Sequence, residues 1–291
     1  MNSFNSQGID VLGIRIDPLE ENKLVKILRD YLKDEDRHFL ATVNPEFIIE
    51  AQTNKKFRHI LKYTDLNLAD GIGILWATKY LNLKTRELQL SRINRVRYYK
   101  LSIIWQAFYS LLAIIFYPRF LKTEIPQRIT GSLLIDKLIR LTKGGNYSAY
   151  ILGGKKGVAS TVKTEMEKKY PQSLIVGSRG GRLTKKGMKE KFCESINKVK
   201  PDILIVGLGA PQQEEWIFSS MDKMPSVKIA VGVGGALDFL AKNRKRAPKW
   251  MREKGLEWLF RLFSEPKRLP RIKNATFKFI KLIIKTKMAN W

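Results

Sequence analysis

The sequence predicts an α/β fold, a mainly parallel sheet with helices on both faces. Three observations predict it. Short apolar runs alternate with amphipathic ones along most of the 291 residues. Several apolar runs end in glycine or in a small polar residue. The composition, 44% hydrophobic and 28% charged, is that of a globular chain. Apolar strands alternating with helices imply parallel pairing buried on both sides.

In order, VLGIRI is a short apolar run, and PLEENKLVKILRDYLKD has apolar residues at helical spacing. HFLATVN reads as a strand, and PEFIIEAQTNKKFRHIL as one helix opening on a proline. LNLAD is a strand and GIGILWATKYL a helix. After RITG come the helix SLLIDKLIRLTK, the strand YSAYILGG and the helix VASTVKTEMEKKY. SLIVGS, DILIVGLG and VKIAVGVGG read as strands, separated by the helices TKKGMKEKFCESINKV and PQQEEWIFSSM. The expected organisation is a core over residues 1–241, with an apolar and basic insert at about 83–126, and a basic appendage over 242–291.

Charge sets the partner class. Lys and Arg number 54 against 27 Asp and Glu, a net charge of +27, which points to a polyanion, either nucleic acid or an anionic membrane surface. A nucleic-acid-binding α/β protein explains the charge and the aromatics. It does not explain the uncharged run Leu101 to Tyr117, flanked by Arg92, Arg95, Arg97 and Lys100 before it and Arg119 and Lys122 after it. That run is at the short limit for a spanning helix, and basic flanks at both ends favour a helix dipping into one leaflet, or a pair of short ones. Gln106 and two serines blunt the spanning signal. The alternative is a buried helix or a dimer contact. FKFIKLIIKTKM in the tail has the composition of a helix lying in an anionic interface. No nucleic acid is therefore expected as partner.

The single cysteine, Cys193, rules out an internal disulfide and sits in an amphipathic run as a buried structural thiol. His38 and His59 have no ligands at metal spacing, so no metal cofactor is expected. The segment MNSFNSQGIDVLGIRID lacks the basic and apolar regions of a signal peptide.

In open α/β sheets ligands bind beyond the carboxyl ends of the strands. Four such ends stand out: ATVNPE, LADGIG, ILGGKKG and VGLGAPQQE. Their glycines, among them Gly71, Gly153, Gly154, Gly207 and Gly209, let backbone approach phosphate oxygens. Neither a Walker A loop nor a complete dinucleotide fingerprint is present. Asp70 is the leading carboxylate, placed to take a proton from a hydroxyl or to cap the following helix. Thr42 and Asn44 offer hydrogen bonds at a neighbouring strand end. Gln213 and Glu214, on the first turn of the helix opened by Pro211, are either ligand contacts or an exposed polar pair.

Taken together, TVNPEFIIEA, NLADGIG, RITGSLLI, ILGG, GLGAPQQEEW, GVGGALDFLA and KRAPKWMREKGLEWLFRLFSEPKRLPR resemble the TagA/WecG/CpsF glycosyltransferases, collinearly over nearly the whole chain apart from the insert near 83–126 and the last twenty or so residues. The resemblance implies a Rossmann-like fold and metal-independent, inverting transfer. The donor would be a UDP-linked N-acetylmannosamine and the acceptor a polyprenyl-diphosphate-linked N-acetylglucosamine, in teichoic acid or other surface polysaccharide synthesis. It implies that Asp70 is the base, that Thr42 stands near the acceptor and that Gln213 stands near the donor. Arg246, Arg252, Arg261 and Arg268 of the appendage fall where the diphosphate would be held, and Arg128 in RITG is expected to bind substrate. A peripheral enzyme on the cytoplasmic face of the membrane follows, with a homo-oligomer allowed. Gly131-Ser132-Leu133-Leu134 stands where the family commonly has GSDL, and TVNPE replaces TPN. These departures leave UDP-linked N-acetylmannosaminuronic acid or glucose open as donors.

Overall fold

A computed structural model describes residues 8–85, 92–122, 124–183, 187–241, 247–248, 251, 256, 259–260, 263 and 274–289. A six-stranded sheet forms its centre. The strands are β3 (His38–Val43), β4 (Leu66–Ala69), β5 (Ala149–Gly153), β6 (Ile175–Arg179), β7 (Ile203–Gly207) and β8 (Ile229–Gly232). They run in the order β4-β3-β8-β7-β5-β6, and every pairing is parallel. All residues of β3, β5, β7 and β8 are buried, as the unbroken apolar runs require.

Alternate strand residues feed opposite faces. Leu40, Ile151, Ile205 and Val231 pack on one side with α1 (Glu21–Lys33), α6 (Gly131–Leu141), α7 (Val158–Lys169) and α10 (Ala236–Leu240). Phe39, Leu152, Leu204 and Ala230 face the other side, with α8 (Met188–Asn197) and α9 (Gln212–Ser220). Cys193 lies in this second layer, buried as its amphipathic context implied.

Two local readings change. VLGIRI, a single short apolar run in the sequence, is not one element. It splits into β1 (Ile9–Val11) and β2 (Ile14–Ile16), an antiparallel hairpin turning at Leu12 and Gly13, both at positive φ. The Asp10 carboxylate accepts from the Gly13 N–H across that turn (3.0 Å). PEFIIEAQTNKKFRHIL is two helices, α2 (Pro45–Thr53) and α3 (Lys55–Lys62). Asn54 breaks it in extended geometry: its N–H closes α2 on Glu50 O, and its side chain caps α3 by accepting from Phe57 N–H (3.0 Å).

A third cluster joins the hairpin, α2, α3, α4 (Ile72–Asn82), α5 (Arg92–Phe116) and α11 (Phe279–Ala289). The tail segment FKFIKLIIKTKM therefore does more than lie on a surface. Phe279 and Ile283 of α11 are fully buried in this cluster. Lys287 is buried too, its ammonium donating to Leu83 O (2.7 Å), Gln106 Oε1 (2.8 Å) and Tyr80 O. Tyr80 and Leu83 end α4, so the ammonium closes the helix end, joining the Leu83 N–H on Tyr80 O and giving Leu83 O a donor.

Candidate active site at the carboxyl edge of the sheet

The carboxyl ends of β3, β4, β5, β7 and β8 form one edge, and most of the expected site residues meet there. β4 delivers Asp70, half-buried, whose N–H bonds Val43 O (2.8 Å) and so holds it beside the end of β3. Gly71 follows at φ +121, a conformation that favours glycine, and caps α4 without a side chain. Next to it, Ile129 N–H bonds Ala69 O (2.9 Å), which places half-buried Arg128 on the same edge as Asp70.

Asn44 serves α2 directly: its carbonyl oxygen accepts from Glu46 N–H (2.9 Å) and Phe47 N–H (3.3 Å). Thr42 is buried, and its hydroxyl donates to Gly232 O at the end of β8 (2.9 Å). This bond ties the Asp70 side of the edge to its centre.

The glycines on the other side are needed for close approach. A Cβ on Gly153 would stand 2.5 Å from Gly207 O, and one on Gly207 would stand 2.4 Å from Leu237 Cδ1. Two of the N–H groups expected to face a phosphate are engaged within the protein. Gly154 N–H donates to Gly207 O (2.9 Å), and Gly209 N–H to Gln213 Oε1 (3.0 Å). Around Gly209, at φ +88, nothing lies within 4 Å of where a Cβ would stand, so this turn borders open space.

Gln213 and Glu214 are not an exposed polar pair: they are 1% and 0% exposed. Gln213 Oε1 also accepts from Gly234 N–H (3.1 Å), so one amide clamps the loops after β7 and β8. Its Nε2 donates to Glu214 Oε1 (2.6 Å). Enclosure pushes the Glu214 carboxyl up to about 8, so at neutral pH it is largely a neutral acid. Its Oε2 finds no hydrogen-bond partner among the described residues.

Sequence reading passed over Gly232 and Gly234 as site residues. They are the hub of the edge: Gly232 O receives Thr42, Gly234 N–H meets Gln213, and Val233 N–H bonds Val206 O (2.8 Å). A Cβ on Gly232 would lie 2.5 Å from Glu214 Oε1. The available signal is GVGG closing an apolar strand, which enters the sequence reading as part of the family motif GVGGALDFLA and without a role at the site. Arg246, Arg252, Arg261 and Arg268 lie outside the described residues.

An all-parallel sheet wrapped by helices, with a carboxylate, an arginine and glycine turns along its carboxyl edge, defines a Rossmann-like α/β enzyme. Comparison with known proteins narrows this. The pattern of the glycosyl transferase WecG/TagA/CpsF family matches residues 9–99 and 112–291, and the chain belongs to that family of glycosyltransferases. Similar relatives are the N-acetylglucosaminyldiphosphoundecaprenol N-acetyl-beta-D-mannosaminyltransferases of Staphylococcus aureus strains MRSA252, MW2 and NCTC 8325. Each is 24% identical over 272 residues, covering 93% of this chain and 90% of the relative. Within the segment 83–126, only residues 100–111 fall outside the family match.

Proposed function

We propose that this glycosyltransferase moves an N-acetylmannosamine-type sugar from a UDP donor to a polyprenyl-diphosphate-linked N-acetylglucosamine, at the cytoplasmic face of a membrane, in surface polysaccharide or teichoic acid synthesis. The reading is carried by Asp70 at the end of β4, beside a helix N-terminus and Arg128, in a chain whose relatives are named for this acceptor and sugar. Asp70 accepts the proton of the acceptor hydroxyl as its oxygen bonds the anomeric carbon. The bond to UDP breaks on the opposite face, which inverts the configuration. The leaving diphosphate, on that opposite side, is met by the arginines of the tail, with the open turn at Gly209 across the edge from Asp70 as a further contact. Gln213 acts on the donor through the two loops it holds, with Glu214 fixing its amide, and Thr42 acts on the acceptor side through β8.

UDP release with a short-chain polyprenyl-diphosphate-N-acetylglucosamine acceptor tests this. With UDP-N-acetylmannosamine the native chain should turn over, and Asp70→Asn should cut the rate on the order of 10²–10⁴-fold with an unchanged unfolding curve. Near-native transfer by that variant would remove Asp70 as base. Turnover only with another UDP-sugar would reassign the donor.

A further inference from the structure

Helix α5 has two unlike faces. Ile103, Gln106, Ala107 and Ser110 point inward and are buried. The polar members of this face are used internally: Ser110 Oγ accepts from Trp76 Nε1 (2.9 Å), and Gln106 Oε1 from Lys287 (2.8 Å). Two of the three residues that make the segment look less apolar, Gln106 and Ser110, are thus turned away from solvent. On the opposite face, at helical spacing, stand Leu101, Ile104, Trp105, Phe108, Leu112 and Phe116, all exposed, Trp105 at 63% and Phe116 at 78%. A helix with one packed face normally shows polar residues on the other. Here the outer stripe from Leu101 to Phe116 is wholly apolar, about 22 Å long at a rise of 1.5 Å per residue.

The charges beside the stripe identify its occupant. Between Glu87 and Glu124 there is no acidic residue, while Arg95, Arg97, Lys100 and Arg119 flank the stripe and are exposed. A second copy of the chain on this face would set these cations against their own kind, whereas an anionic lipid leaflet complements them. The helix is long and apolar enough to cross a membrane, but its inner face is bonded to α4 and α11, and crossing would break those contacts. Residues 100–111, outside the family match, contain the first four stripe residues, so this surface is largely an addition to the shared architecture.

We propose that α5 lies in the plane of one leaflet of an anionic bilayer, its outer face submerged among acyl chains and its flanking cations at the lipid phosphates. The inference rests on the proposed function only in taking the acceptor to be held in a membrane. Sedimentation of the full chain with phosphatidylcholine vesicles, with and without phosphatidylglycerol, tests it. Native protein should bind the anionic vesicles, and Ile104→Asp/Phe108→Asp should bind on the order of tenfold less or weaker still, while keeping its circular dichroism. Should that variant fail to fold, Trp105→Phe decides: lipids brominated on the acyl chain should quench native tryptophan emission and lose much of that effect in the variant. Native-like vesicle binding by the aspartate variant, or quenching that ignores Trp105, overturns the proposal. So does loss of a dimer by light scattering without loss of vesicle binding, which gives the face to a second copy. Transfer to the short-chain acceptor in solution reports separately on the enzyme: its absence in native protein sinks the proposed function, while vesicle binding through Trp105 would still stand.

Discussion

Replacing Glu214 with Gln should flatten part of the dependence of stability on pH. The Glu214 carboxyl is wholly buried, and burial lifts it from 4.5 to about 8. In the unfolded chain the same group ionises near its ordinary value. Between these two points the folded protein keeps a proton that the unfolded chain releases. Stability is therefore full below the unfolded value and falls as pH rises towards about 8. A shift of this size corresponds to a ceiling of about 5 kcal/mol, a large part of the roughly 5–15 kcal/mol that holds a domain together. Glutamine keeps the shape and the oxygen that accepts from Gln213 Nε2, but has no proton to lose. Urea unfolding from about pH 5 to about pH 8 should show native protein losing stability and Glu214→Gln gaining on it steadily. His38 slopes the same way. Burial lowers its pKa, but the Asp65 and Asp34 carboxylates on either side of its ring outweigh this and raise it. Its contribution is present below the ordinary histidine value and lost as pH passes its folded value, equally in both proteins, so it cancels in the difference. A native–variant difference that stays constant with pH would show Glu214 ionised in the fold and refute the reasoning.

The other predictions concern the clamps around the edge. Gln213→Ala strips one acceptor from two loop N–H groups and should cost about 2–4 kcal/mol. Hydrogen exchange should quicken at Gly209 and Gly234, and unchanged protection there would discount the clamp. Lys287→Met takes the charged donor from three oxygens and should cost about 1–3 kcal/mol. The loss should appear as faster exchange through 279–289, and an unaltered pattern would mean that apolar packing alone docks the helix.

The sheet was legible because β3, β5, β7 and β8 are buried on both faces and have to be nearly all apolar. Asp70 was legible for the same reason, as the first polar residue beyond such a run. What escaped depends on partners distant in sequence. Gln213 looks like a surface residue on a helix until Gly234, 21 positions away, supplies the second N–H. Lys287 reads as one more interfacial lysine because the carbonyls it reaches lie about two hundred positions earlier. Asn54 was a local signal and still misleading, since apolar spacing runs through it while its own cap ends one helix and starts the next.

The docking of α11 also orders events in time. Phe279 packs edge-on to Trp76, and its ring would lie 3.6 Å from a Cβ on Gly73, two residues after the Gly71 turn that follows Asp70. Helix α4, which opens at that turn, thus takes its backing from chain synthesised some two hundred residues later. While it is being translated, the front half of the edge stands without that support, and contacts of such long range close late. A nascent chain could already hold the sheet, yet the loop bearing Asp70 would settle only once residues 279–289 had emerged from the ribosome. That would leave no interval in which a half-made transferase could act on its substrates.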